Sequence, residues 1–204
     1  MTKSTVAIDI DDVLAASTDL IRITSNKATG LDLKEHHYRV SGPYWSYYEH
    51  VLEVNGVTDK SLQKSILADW ISNHDQAGPI QGAIDALTHL SKSYKIVLIT
   101  ARDPKIRTDT EEWLKAHFSG LYDDLHVIGN FKVVDKPRTK GEVCAEIGAK
   151  WLIDDNPEHC LSAIAHNVEA VLFGEYGWHF DAPEHLTRCK DWPSVVRYFD
   201  EQPR

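Results

Sequence analysis

Two aspartates stand two residues apart in Ile8-Asp9-Ile10-Asp11-Asp12-Val13-Leu14, directly behind the apolar run Thr5-Val6-Ala7-Ile8. On an extended tip, side chains at i and i+2 point the same way, so Asp9 and Asp11 share a face. One carboxylate can attack as a nucleophile while the other moves protons. An isolated pair of this kind is most often a solvated acidic turn. Three further groups change that reading: Thr100-Ala101-Arg102, a second acidic pair in Asp154-Asp155-Asn156, and Lys140 between them in the chain. Close carboxylates repel one another and need either raised pKa values or a cation. An all-oxygen site with room for water and phosphate points to Mg²⁺. Lys140 and Thr100 would then hold phosphate oxygens, where the transition state of phosphoryl transfer is most negative.

These groups meet only if the chain carries them to one place. Strand-like runs occur at Thr5-Val6-Ala7-Ile8, Lys95-Ile96-Val97-Leu98-Ile99, His126-Val127-Ile128, Trp151-Leu152-Ile153 and Glu169-Ala170-Val171-Leu172-Phe173. Helical spacing fills the gaps, in Ala83, Ile84, Leu87 and Leu90, in Ile106, Thr110, Trp113 and Leu114, in Val143, Cys144 and Ile147, and in Leu161, Ile164 and Ala165. Strands without polar alternation, separated by helices, predict an α/β fold with a parallel sheet covered on both faces. Ligands of such sheets bind beyond the carboxyl ends of the strands, where the acids, Thr100 and Lys140 all fall.

Residues 15–79 break the rhythm. They are rich in aromatic and polar side chains (His36, His37, Tyr38, Tyr44, Trp45, Tyr47, Tyr48), followed by a helix with Leu62, Ile66, Leu67, Trp70 and Ile71 on one face. The expected organisation is a core of 1–14 and 80–204 with a small helical insertion at 15–79. With 204 residues, 42% apolar, the chain can bury a sizeable core. A net charge of −9 argues against a polynucleotide partner, and no apolar run reaches the roughly 18 residues of a membrane span. No signal-peptide pattern precedes the first strand, and three scattered cysteines form no metal or disulfide pattern, so a cytoplasmic location is expected.

Asp9-x-Asp11-x-Val13, Thr100, Lys140 and Asp154-Asp155 resemble, in order, the four motifs of the haloacid dehalogenase (HAD) superfamily of phosphohydrolases. The resemblance implies a Rossmann-like core with a small helical cap inserted after strand one. It implies that Asp9 attacks phosphorus and forms an aspartyl-phosphate, while Asp11 protonates the leaving oxygen and then takes a proton from water. It also implies Mg²⁺ held by the Asp9 carboxylate, the Asp11 carbonyl and the last acidic pair, with Asp155 as direct ligand and Asp154 as its water-bridged neighbour. Asp11 favours phosphatase over dehalogenase chemistry. Asp12 departs from the pattern, since many members carry glycine there.

The pattern Thr100-Ala101-Arg102 with Arg107, Thr110, Trp113 and Leu114 is similar to the 5′(3′)-deoxyribonucleotidase group and to the 3′-phosphatase domain of phage-type polynucleotide kinase. Leu172-Phe173-Gly174-Glu175-Tyr176-Gly177-Trp178 resembles the aromatic strand end of nucleotidase-like members. The expected substrate is therefore a small phosphorylated molecule, a nucleoside monophosphate, contacted by Thr100, Ala101, Arg102, Lys140, Tyr44 and Trp45. Arg102 reaches either the substrate or a nearby acid. Trp113 and Leu114 read as packing, Cys144 and Cys160 as core, His36, His37 and His50 as exposed, and His159 as first-turn helix. A general sugar-phosphate phosphatase, a phosphomutase and an inactive phosphate- or nucleotide-binding module are the alternatives. The oligomeric state, a homodimer included, is left open.

Overall fold

A computed structural model describes residues 3–202. Six strands form one wholly parallel sheet: β1 (Thr5–Ile8), β2 (Lys95–Thr100), β3 (Asp124–Val127), β4 (Ala149–Asp154), β5 (Glu169–Phe173) and β6 (Thr187–Cys189). They lie in the order β3-β2-β1-β4-β5-β6, so the chain runs outward from β1 in one direction and then in the other. The switch falls between β1 and β4, where such sheets open a crevice.

The pleat explains why these strands are apolar on both faces. Val6, Ile8, Trp151 and Ile153 pack on one side with α4 (Ala83–Leu90), α5 (Arg107–Phe118) and α8 (Trp192–Asp200). Ala7, Val97 and Leu152 pack on the other with α6 (Lys140–Glu146) and α7 (Pro157–Ala165). A third cluster lies in the helical segment between β1 and β2, built from α1 (Ser17–Thr29), α2 (Tyr47–Val54) and α3 (Lys60–Ser72). It gathers Ile21, Tyr38, Tyr47, Val51, Leu52 and Ile66, and Trp178 from beyond β5 joins them. The chain leaves and rejoins the sheet layer through one narrow neck, where Ala16 N–H donates to Gly78 O (2.9 Å) and Ile80 N–H to Leu14 O (2.7 Å).

Several sequence expectations shift. The third strand starts two residues earlier, at Asp124, because Asp123 side-chain and backbone bonds to Ile96 set its register. On α7 the buried stripe is Pro157, Cys160 and Ala163, while Leu161 and Ile164 face outward. The cause is close packing of α6 on α7, where a Cβ on Gly141 would lie 2.2 Å from the Ser162 carbonyl. Ile71 and Ile84 are likewise exposed. The short polar β6 carries too little periodicity to be read from sequence. Among the described residues no helix is long and apolar enough to cross a membrane.

Candidate active site

Each candidate group is fixed by the backbone that carries it. Asp9 extends β1 by one residue and stays paired, its N–H donating to Ile153 O at 3.0 Å. The chain then closes a tight turn, with Leu14 N–H and Ala15 N–H both donating to Ile10 O at 2.8 Å. Thr100 ends β2, fully buried. Lys140 opens α6, whose start is held by a reciprocal cap between Thr139 and Glu142. Asp154 ends β4, and Asn156 caps α7 with Pro157 in its first position.

The fold brings the carboxylates together. Oxygen atoms of Asp9, Asp154 and Asp155 lie within 4.8 Å of one another, all three residues buried. Lys140 Nζ stands between two of them, 2.7 Å from Asp9 Oδ1 and 2.7 Å from Asp154 Oδ2. Asp154 Oδ1 also accepts from Asn156 N–H (3.0 Å) and lies 3.2 Å from His159 Nδ1.

These contacts sort the acids by charge. Burial pushes Asp9 up to about 6, against the pull of Lys140 and with repulsion from Asp154 and Asp11. Burial, with Asp154 and Asp9 nearby, raises Asp155 well above the carboxylate range. Burial acts on Asp154 as well, but Lys140 and His159 overcome it and hold the group at about 2. Lys140 itself stays firmly charged, since its two carboxylates outweigh its burial. The all-oxygen donor set and the two carboxylates left high by burial and by one another fit a hard dication such as Mg²⁺.

Asp11 sits differently. Arg102 takes both its oxygens, with Nε at 2.9 Å from Oδ2 and Nη2 at 2.8 Å from Oδ1, and Ser17 Oγ donates to Oδ1 at 2.6 Å. Burial alone would raise Asp11, but the guanidinium and these hydrogen bonds bring it to about 2. Of the two expected roles of Arg102, pairing with an acid is the one this arrangement displays. Thr110 explains the spacing of the motif: its hydroxyl accepts from Arg102 Nη1 at 3.3 Å and donates to Ile106 O at 3.0 Å. Arg107 turns away, to Glu111 at 2.7 Å. Thr100 Oγ1 accepts from Arg102 N–H at 3.2 Å, and Ala101 O accepts from Asn130 Nδ2 at 3.0 Å.

The aromatic cluster divides. Tyr38 and Tyr47 belong to the core of the helical segment, with Tyr47 Oη donating to Tyr38 O and Val40 O. Tyr44 faces the acids: burial, with Asp155, Asp9 and Asp154 close by, raises its hydroxyl well above its ordinary value. Trp45 reaches across to the sheet layer, donating to Glu158 at 3.1 Å and meeting Phe131 edge-on at 4.6 Å. Several contacts at the site were not read from the sequence. Trp178 Nε1 (3.0 Å) and His179 Nε2 (2.6 Å) both bond the Asp155 carbonyl. Ser17 and Asn130 secure Asp11 and Ala101. The contacts of Trp178, His179 and Asn130 span 23 to 29 residues of chain, while Ser17 meets Asp11 six residues away through a turn that neither helical nor strand spacing marks.

No protein-family model matches the sequence, and no curated protein matches it either. The fold does find counterparts among solved structures. A predicted phosphoglycolate phosphatase from Haemophilus somnus superposes with a TM-score of 0.63 at 11% identity, over 97% of this chain and 98% of that one. A haloacid dehalogenase-like family hydrolase from Streptococcus pneumoniae gives 0.61 at 16% identity, over 97% and 98%. The fold is that of the HAD hydrolases. A HAD-hydrolase of Bacillus subtilis, described in a magnesium-bound form, gives 0.65 at 9% identity, over 98% and 100%. At these identities the likeness concerns the HAD fold, and chemistry must be argued from the residues.

Proposed function

We propose that this protein is a Mg²⁺-dependent phosphomonoester hydrolase with Asp9 as nucleophile. The observation that carries the reading is the position of Asp9: a buried carboxylate at a strand end, 2.7 Å from a buried lysine and grouped with two further acids. One oxygen of Asp9 attacks phosphorus, the bond to the leaving oxygen breaks, and an aspartyl-phosphate forms. Water then attacks phosphorus, releasing phosphate and restoring the carboxylate. Lys140 and the Thr100 hydroxyl hold phosphoryl oxygens. Asp11 gives a proton to the leaving oxygen and takes one from the attacking water, which requires Arg102 to loosen its grip as substrate enters. The Asp9, Asp154 and Asp155 carboxylates with the Asp11 carbonyl would hold Mg²⁺, which neutralises acids and phosphoryl oxygens together.

We read residues 15–79 as a cap over this site, hinged at the neck of Ala16, Gly78 and Ile80. The leaving group it admits is, in this reading, a nucleoside. Support comes from Trp45 and Phe131, an aromatic pair with Lys132 Nζ 5.6 Å from the Trp45 ring centre, while Tyr44 lines the interior. A specific observation favours the rival, a phosphatase of small acid or sugar phosphates. Tyr47 is buried, and the Tyr48 ring packs against Tyr47 and Trp70, so both rings are engaged inside the helical segment. Phosphate release from a panel of nucleoside, sugar and small acid phosphates separates the two. A nucleotidase prefers nucleoside monophosphates in kcat/KM by at least about tenfold; equal or lower values favour the rival.

A further inference from the structure

Asp12 is the residue that departs from the HAD pattern, and its surroundings are unlike those of a turn residue left in solvent. Its backbone is left-handed, with φ of 55°, a conformation that glycine adopts freely and aspartate tolerates. The residue is only 5% exposed. Oδ1 accepts from Thr18 N–H at 2.8 Å, and Oδ2 accepts from Thr18 Oγ1 at 2.9 Å and Tyr48 Oη at 3.0 Å. Its carbonyl accepts from Tyr176 Oη at 2.6 Å. Ala16, the residue before α1, supplies no side-chain cap, so the Asp12 carboxylate meets an open N–H of the first turn from outside.

Three parts of the molecule therefore converge on one carboxylate: the first turn of α1, α2 through Tyr48, and the nucleophile loop itself. Glycine would satisfy the backbone here but could make none of the side-chain bonds. Tyr48 is set for this contact, since its ring meets Trp70 edge-on at 5.2 Å and its hydroxyl lies 3.1 Å from Thr18 Oγ1.

We propose that Asp12 is a positioning residue that ties α2 to the nucleophile loop through Tyr48 and so fastens the helical segment over the site. The tie joins the loop bearing Asp9 and Asp11 to the segment bearing Tyr44 and Trp45, so it holds those two aromatics over the site without touching the reacting groups. The kinetic consequence rests on the cap reading above; the tie itself does not.

The test compares wild type, Asp12→Gly, Tyr48→Phe and the double variant by hydrogen–deuterium exchange across residues 47–54. Both substitutions suit their sites: glycine keeps the left-handed backbone, and phenylalanine keeps the ring against Trp70. Exchange should quicken by about fivefold in each single variant, the factor of one lost hydrogen bond, and no further in the double. Exchange unchanged in both singles, or simply additive in the double, overturns the tie. In turnover, KM should rise by a similar factor with kcat within about twofold. A fall in kcat at constant KM would instead make Asp12 part of the chemistry and overturn the positioning role. Exchange needs no turnover, so an inactive wild type would count against the phosphatase reading alone.

Discussion

Arg102 and Asp11 form a two-point ion pair, Nε to Oδ2 at 2.9 Å and Nη2 to Oδ1 at 2.8 Å, across 91 residues of chain. A carboxylate held at about 2 is ionised at neutral pH and is a weak proton donor until that fork releases it. Arg102 thereby sets both the charge and the aim of Asp11. Lysine in its place keeps a charge but loses the fork. Arg102→Lys is expected to lower kcat for an alkyl phosphate by about 10²-fold, the range of general-acid catalysis. An aryl phosphate, whose leaving group needs no proton, should lose far less. Equal losses on the two substrates would show that Arg102 does not act through Asp11.

The pH profile follows from Asp9. As nucleophile it must be ionised, and burial places it at about 6, so kcat/KM should fall as pH drops through that value. Raising Mg²⁺ should move the limb to lower pH, because a cation favours the ionised form. For stability the signs differ by residue. Asp9 is raised from 3.8, so the folded state binds more protons than the unfolded one between 3.8 and about 6, and its contribution declines as pH rises through that window. Asp11 and Asp154 are lowered from 3.8 to about 2, so their contribution is present above 3.8 and is lost as pH falls to about 2. Chelator-treated protein, unfolded by denaturant across pH 2 to 7, tests both windows.

Lys140 is the buried counter-charge of the site, 1% exposed and 2.7 Å from each of two carboxylates. Lys140→Met strands those acids and should cost about 3–5 kcal/mol at neutral pH. The loss should shrink at pH 5, where Asp9 takes up a proton instead. Urea midpoints at the two pH values check this, and a loss independent of pH would contradict the electrostatic account.

Gly177 marks where the loop after β5 presses on the helical segment. A Cβ there would lie 2.0 Å from Tyr47 Oη and 2.1 Å from Val40 O. Gly177→Ala is expected to cost about 1–3 kcal/mol, as overpacking does. Gly78→Ala, with no atom within 4 Å of the added carbon, should stay within about 0.5 kcal/mol. Thermal unfolding of the two variants side by side makes the comparison.

The sheet was legible because buried parallel strands carry continuous apolar runs, and the acids followed from where those runs end. Lys140 at a helix start, Asp9 at one strand end and Asp154 at another needed only the fold class to be brought together. What the sequence did not carry were long-range choices. Arg102 was expected to reach the substrate or a nearby acid, and only the folded chain identifies that acid as Asp11. The aromatic run of residues 38–48 did not show which hydroxyls reach which partners, and only the folded chain sends those of Tyr47 and Tyr48 to Val40 and Asp12. On α7 the helical period allowed two apolar stripes, and the tight approach of Gly141 to Ser162 decided for Cys160 and Ala163.

The most direct test of the central claim is to trap the phosphoenzyme. Wild type and Asp9→Asn are mixed with a reactive phosphomonoester and Mg²⁺, quenched in acid within milliseconds, digested and weighed by mass spectrometry. An aspartyl-phosphate on Asp9 requires one added phosphoryl group on the peptide containing Asp9, absent with chelator and absent in Asp9→Asn, which also loses turnover. Steady phosphate release by Asp9→Asn, or a phosphoryl group found on any other residue, would contradict it.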